Sequence, residues 1–136
     1  MKAKIKLVCL ALIAMGSTAL SSCSKDSKEF PIEEAVGTYR GTLKVMVPKV
    51  PHTEIKDAKV TITKVSDTEL RVTPDPKYGA TAKTFTVESI EGDLMNPDVN
   101  DPKGIFIYEV ADKYLSVTTN REVPTEANFI FKGNKQ

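Results

Sequence analysis

From residue 37 onward apolar and polar side chains alternate with a period of two, and nothing else in the chain constrains its fold as tightly. Over Gly37–Val47, Tyr39, Leu43, Val45 and Val47 fall on one side and Thr38, Arg40, Thr42 and Lys44 on the other. Val60 and Ile62 alternate with Lys59, Thr61 and Thr63; Leu70 and Val72 with Arg71 and Thr73. Phe85 and Val87 alternate with Thr84, Thr86 and Glu88, and Leu115 and Val117 with Ser116 and Thr118. Successive strand side chains point to opposite faces, so this pattern buries one face of an antiparallel sheet and wets the other. Abundant Val, Ile and Thr add β propensity.

Two segments break the alternation. Ile105–Val110 is apolar on both sides around Glu109, and Phe129–Phe131 is a continuous apolar run, so both faces of each are expected to be covered. Ser66-Asp67-Thr68 and Ala111-Asp112 predict tight hairpins. Longer breaks are expected at Pro48–Asp57, Pro74–Ala82 and Gly92–Lys103, all rich in Pro, Gly, Asp or Asn. Short strands at this spacing predict an all-β domain, a single small antiparallel barrel of seven to eight strands over residues 35–136, with a β-sandwich as the alternative.

The N-terminus is different in kind. Lys2, Lys4 and Lys6 precede the unbroken apolar run Leu7–Met15, and Gly16–Ser22 are mostly small. That three-part layout predicts a secretory signal peptide over residues 1–22, its apolar run too short to span a bilayer as a helix. It closes on Leu20-Ser21-Ser22-Cys23, which resembles a bacterial lipobox. By that resemblance Cys23 is the first mature residue and carries the acyl chains, each buried methylene adding about 0.8 kcal/mol to membrane binding. Residues 23–34 then serve as a lipidated cysteine and a polar tether. Ser24 after the cysteine resembles the sorting signal for the outer membrane of a Gram-negative bacterium, facing the periplasm or the medium.

Removing three signal lysines leaves sixteen basic residues against eighteen acidic ones, a net charge of −2 for residues 23–136. With no basic stripe, nucleic acid is not an expected partner. Cys9 lies in the signal and Cys23 is acylated, so no disulfide is available and the core alone must hold the fold.

A family resemblance enters with Ala35-Val36-Gly37-Thr38-Tyr39-Arg40-Gly41-Thr42-Leu43-Lys44-Val45. Following a lipobox and a tether, and followed by Val60-Thr61-Ile62-Thr63-Lys64-Val65-Ser66-Asp67, it is similar to the calycin-like β-barrel lipoproteins of gut anaerobes. The resemblance covers residues 35 to 93 best. It implies a lipocalin-like barrel in an exported lipoprotein, with glycines permitting strand curvature and Tyr39 plugging one end. It brings no catalytic residues.

The side-chain inventory points away from catalysis. His52, between Pro51 and Thr53, is the one histidine, and no cysteine remains for a nucleophile, so neither a zinc site nor a nucleophile–histidine relay has its parts. No cofactor is expected. Asp98, Asn100 and Asp101 form the one dense oxygen cluster. They lack the glycine and distal glutamate of an EF-hand loop, so turn chemistry is expected there in preference to calcium. The sequence thus predicts a non-catalytic, lipid-anchored envelope binding protein. Its ligand is either a small apolar or amphipathic molecule in the barrel, or an envelope protein or glycan held by the long loops. Tyr78, Met95, Asp98 and Asn100 are the candidate contact residues.

Overall fold

The computed structural model describes residues 28–136; the expected signal peptide, Cys23 and residues 24–27 lie outside them. The described chain is an antiparallel sheet of nine strands: β1 Gly37–Met46, β2 Thr53–Lys64, β3 Glu69–Pro74, β4 Lys83–Thr86, β5 Glu88–Ile90, β6 Asp93–Met95, β7 Gly104–Glu109, β8 Tyr114–Thr119 and β9 Asn128–Lys135. Each strand pairs with its sequence neighbour except at one place, and β1 pairs with β9, so the meander rolls into a nearly closed barrel. The exception lies between β4 and β5, which are separated by Val87 alone. β4 pairs with β3 and β5 with β6, so one extended segment changes partners partway along. The count exceeds the expected seven to eight because β5 and β6 are three residues each, too short to display alternation. The sandwich alternative is not adopted.

An up-and-down meander sends alternate connections to opposite ends. At one end, the floor, are the short turns 65–68, 91–92 and 110–113, together with both ends of the described chain. The other end, the mouth, carries the loops 47–52, 75–82, 96–103 and 120–127.

The period-two signal located the core. Leu43, Val45, Val60, Ile62, Leu70, Val72, Phe85, Val87, Leu115 and Val117 are all buried, joined by Tyr39, Leu94, Phe106, Tyr108, Phe129 and Phe131. Gly41 and Gly133 face each other across β1 and β9, where a Cβ on Gly133 would stand 2.3 Å from the Arg40 carbonyl oxygen and 2.7 Å from the Phe131 ring. Only glycine lets the strands approach this closely. Beside them Tyr39 and Tyr108 meet edge to face with ring centroids 5.9 Å apart. The Tyr39 hydroxyl donates to the Ala35 carbonyl at 2.6 Å, and burial pushes its phenol far above the ordinary tyrosine value. That bond fixes a short 3-10 helix, Ile32–Ala35, across the floor, with Ile32 and Ala35 buried. Residues expected to end the tether therefore pack on the barrel.

Three local expectations are corrected. The break expected at Pro48–Asp57 is shorter, because β2 begins at Thr53 and pairs with β1 up to Val45. Ile55 is the one apolar residue among its first five and packs partly buried against the core, but the irregularity that follows it shifts its parity from that of Ala58, Val60 and Ile62, so no apolar period betrays the strand start. Lys56 and Asp57 form a bulge opposite Thr42, with Asp57 at φ 53° and its carbonyl accepting from Arg40 Nη1 at 3.2 Å. Within Gly92–Lys103, residues 93–95 are strand β6. Neither apolar run is covered on both faces: Phe106, Tyr108, Phe129 and Phe131 point in, whereas Ile105 is exposed and Ile107 and Ile130 are half-exposed outside. β-branched residues suit an outward strand position on propensity grounds alone.

Candidate functional site: the mouth of the barrel

The barrel interior is occupied. The rings of Tyr39, Tyr108, Phe85, Phe106, Phe129 and Phe131 fill it together with aliphatic side chains in one buried cluster. Three cavities among the described residues open on the outside. One of about 590 Å³ lies at the floor between Phe30–Glu33 and residues 87–89, where the Lys64 ammonium is paired with Glu33 and Asp67. A second, about 260 Å³, surrounds Ile130 on the wall between Lys44 and Lys132. A third, about 150 Å³, lies against Pro74–Pro76.

The mouth is crossed by loop 120–127, which leaves β8, passes over the barrel and returns to β9. Its root is clasped by Thr119, whose buried hydroxyl accepts from the Phe129 N–H at 2.8 Å and donates to the Phe129 carbonyl at 3.1 Å. From there it touches every other mouth loop or its adjoining strand. The Asn120 N–H donates to the Lys103 carbonyl at 2.8 Å, Arg121 Nη2 to the Met46 carbonyl at 2.9 Å, and the Thr81 N–H to the Ala127 carbonyl at 2.9 Å.

Its far anchor is an ion cluster. Lys83 continues the inward parity of Phe85 and Val87 and is only 4% exposed. Its Nζ lies 2.5 Å from Glu122 Oε2 and 2.6 Å from Glu126 Oε1, two carboxylates of the crossing loop. Burial by itself pulls the Lys83 pKa down, and the two carboxylates more than reverse it, leaving it above the ordinary lysine value. The Lys83 hydrogen bond in turn holds Glu126 below the usual carboxylate range, helped by the Glu122 N–H, which donates to Glu126 Oε2 at 2.6 Å. The loop therefore behaves as a strap fastened across the mouth by charge.

Loop 96–103 is braced from within. Asn96 is buried; its Oδ1 accepts from the Phe106 N–H at 2.8 Å, and its Nδ2 donates to the carbonyls of Gly104 and Asp98 at 3.0 and 3.1 Å. Asp98 Oδ1 accepts from the Asn100 N–H and Asp101 Oδ1 from the Lys103 N–H, each at 2.9 Å, so both carboxylates are turned onto their own backbone. Among the described residues no group of three or more His, Cys, Asp or Glu is gathered to hold a metal ion.

The four sequence-predicted contact residues are divided by the fold. Asp98 and Asn100 sit exposed on one mouth loop. Tyr78 belongs to another mouth loop but is half-buried against the core; its hydroxyl lies 3.4 Å from the Lys59 N–H and its ring lies under the Lys77 ammonium. Met95 is on the outer wall in β6, paired with Glu88 and Ile107. Exposed valines, by contrast, collect at the mouth: Val47 and Val50 on the first loop, Val99 on the third and Val123 on the strap, at 40%, 53%, 79% and 54% exposure. Lys83, Glu122 and Glu126 were also not singled out. Lys83 was findable from the period of its own strand, since it shares the parity of Phe85 and Val87.

No family model, no curated protein and no solved structure matches the chain.

Proposed function

We propose that the protein is a non-catalytic, lipid-anchored binding protein of the outer membrane of a Gram-negative bacterium, and that it takes an envelope partner on the loops at the barrel mouth. The observation that carries this reading is the division of the barrel: the interior is packed with aromatic rings, and the long loops are gathered and cross-braced at one end. A rigid sheet presenting loops at one end is a common way for an all-β scaffold to bind. The lipobox-like Leu20-Ser21-Ser22-Cys23 supports the anchor, and the similarity of residues 35–93 to calycin-like lipoproteins supports the setting. Anchor and mouth are then at opposite ends, since the described chain starts at the floor.

The test is native mass spectrometry of the full-length protein purified from its own cells, repeated with loops 75–82 and 96–103 each shortened to a tight turn. A partner that travels with the intact protein and is lost from the shortened ones, at unchanged thermal stability, is the expected result. A bound small molecule retained by both forms would instead place binding inside the barrel and overturn the mouth reading.

A further inference from the structure

The outer wall carries a hollow of about 260 Å³, lined by Thr42 and Lys44 of β1, Ile130 and Lys132 of β9, and Glu54 of β2. Thr42 pairs with Lys132 and Lys44 with Ile130, so the two lysines stand on the diagonal of one outward-facing square. Diagonal neighbours on adjacent strands are about 7–8 Å apart, close enough for both ammonium groups to reach one anion. Among the described residues neither lysine is in an ion pair. Glu54 lies on the far side of Lys44 from Lys132, and its carboxylate is held by Lys56 at 2.7 Å. The hollow therefore holds two uncompensated positive charges.

An apolar track leads away from it. Ile130 pairs with Thr118 and Thr118 with Ile105, all three outward, and Ile107 is the next outward residue along β7. Ile105 is exposed and Ile107 and Ile130 are half-exposed. The outward side chains between β9 and β7 are Ser116 and Thr118, so no charge interrupts the track. β propensity accounts for each isoleucine singly, but not for three in adjoining rows beside two unpaired cations.

We propose that this wall binds a single-chain anionic amphiphile, its acidic head between Lys44 and Lys132 and its chain laid over Ile130 towards Ile105. Strands lie about 4.8 Å apart, so the run from β9 to β7 is about 10 Å, the length of an acyl chain of about eight carbons. Lysine ammonium groups act as mobile point charges, so a carboxylate or a phosphate head suits them alike. A wholly polar anion gains nothing from the isoleucines, and a two-chain bilayer lipid has one chain too many for a single track. The ring-filled interior offers the chain no alternative. The site lies on the side of the barrel, so it stands or falls apart from the mouth.

The probe is octanoate carrying a diazirine at its tail end, irradiated with the full-length protein purified from its own cells and held in phosphatidylcholine nanodiscs. Label should saturate and fall on residues 105–107 or 116–118. Excess octanoate should cut it at least tenfold, and octanol, which has the chain without the charge, less than twofold. Lys44→Gln with Lys132→Gln should cut it at least tenfold, whereas Lys44→Arg with Lys132→Arg, which keeps both charges, should hold it within twofold. Lys59→Gln with Arg71→Gln, exposed elsewhere on the same wall, should also leave it within twofold. Label that does not saturate, that spreads over other strands or reaches lipid only, that octanol displaces as well as octanoate, or that survives the paired glutamine changes overturns the inference. Equal loss with the arginine pair would assign the effect to packing and overturn the charged head. Shortening loop 75–82 should leave the label as it is, so a failure of the mouth reading and a failure of the wall site are seen separately.

Discussion

Lys83 is the place where a single substitution should be most informative. Its ammonium is almost wholly buried between Glu126, whose side chain is 9% exposed, and Glu122, which is 43% exposed. Removing one member of a buried pair leaves the other uncompensated and costs about 3–5 kcal/mol. Neutralising Glu126 as Gln leaves Lys83 paired with the more solvated carboxylate, so the expected loss is reduced to about 2–3 kcal/mol. Neutralising Glu122, half in water already, should cost about 0–1 kcal/mol. Lys83→Met removes the buried charge itself and lets both carboxylates turn to solvent, so its loss should be smaller than that of Glu126→Gln. Lys83→Met combined with both Gln changes should return close to the parent, because an apolar replacement of a whole buried cluster is often neutral. Urea denaturation with a double-mutant cycle between positions 83 and 126 reads this directly. A coupling below about 0.5 kcal/mol, or Glu126→Gln behaving like the parent, would refute the charge-fastened strap.

The same cluster fixes a pH dependence. Glu126 is held below the usual carboxylate range, so its share of stability is present at neutral pH and is lost as pH falls through its folded value. Lys83 is raised, so its share is lost only as pH climbs through a value above that of an ordinary lysine. Lys83→Met should flatten both limbs of the stability profile.

The remaining expectations test register, bracing and anchoring. Ile62→Ala should cost about 2–5 kcal/mol in chemical denaturation and Thr61→Ala under about 0.5, since the two point to opposite faces; equal losses would contradict the register. Asn96→Ala should cost about 1–3 kcal/mol by stranding the Phe106 N–H, and should speed hydrogen exchange across residues 97–103 first. Gly133→Ala should lower the melting temperature more than any alanine change on an outward strand position, because its Cβ has no room beside the Arg40 carbonyl. Cys23→Ser should leave a species that folds normally but is released by a carbonate wash.

How much of this was legible in the sequence follows from what each signal measures. The interior face was readable because Val60 and Ile62, or Leu115 and Val117, alternate with polar neighbours along their strands, and alternation is the burial pattern itself. Ile105, Ile107 and Ile130 misled because hydrophobicity reports what a side chain tolerates, and a β-branched residue also tolerates the outside of a barrel. The start of β2 is unreadable for another reason: Ile55 is its one apolar residue, and the bulge after it shifts Ile55 out of parity with Ala58, Val60 and Ile62. At the mouth, candidate residues were chosen by chemical type within breaks in the pattern, and type says nothing of direction. Tyr78 thus turned inward, Met95 fell on a strand too short to recognise, and only Asp98 and Asn100 stood where expected. Val47 reads as the last inward residue of its strand, but the strand ends at Met46 and leaves it exposed; Val50, Val99 and Val123 each stand alone in a polar loop, where one apolar residue carries no local signal, and only the topology brings their loops to one end.

The two ends of the barrel are closed by different physics, and the difference bears on which end can change. At the floor, Ile32 and Ala35 are buried against the core and the Tyr39 hydroxyl ties them down, so opening it would expose apolar surface at about 25 cal/mol per Å² besides releasing the exposed Glu33–Lys64 pair. The strap over the mouth is held by groups that water can satisfy: the Arg121 and Thr81 hydrogen bonds to carbonyls and the Glu122 and Glu126 carboxylates. Lifting it exposes one ammonium and two carboxylates, each of which regains hydration on release. The strap should therefore open at a lower free energy than the floor, and before global unfolding. Hydrogen exchange distinguishes the two ends, because the Asn120 and Thr81 amides bond to or from the strap, whereas the Val36 amide bonds to the Glu33 carbonyl at the floor. Exchange at Asn120 and Thr81 that is faster than at Val36, and accelerated further by Glu126→Gln while Val36 keeps its rate, would locate the adaptable end of the molecule beside its exposed valines. Equal protection at the three amides would make the strap as fixed as the floor.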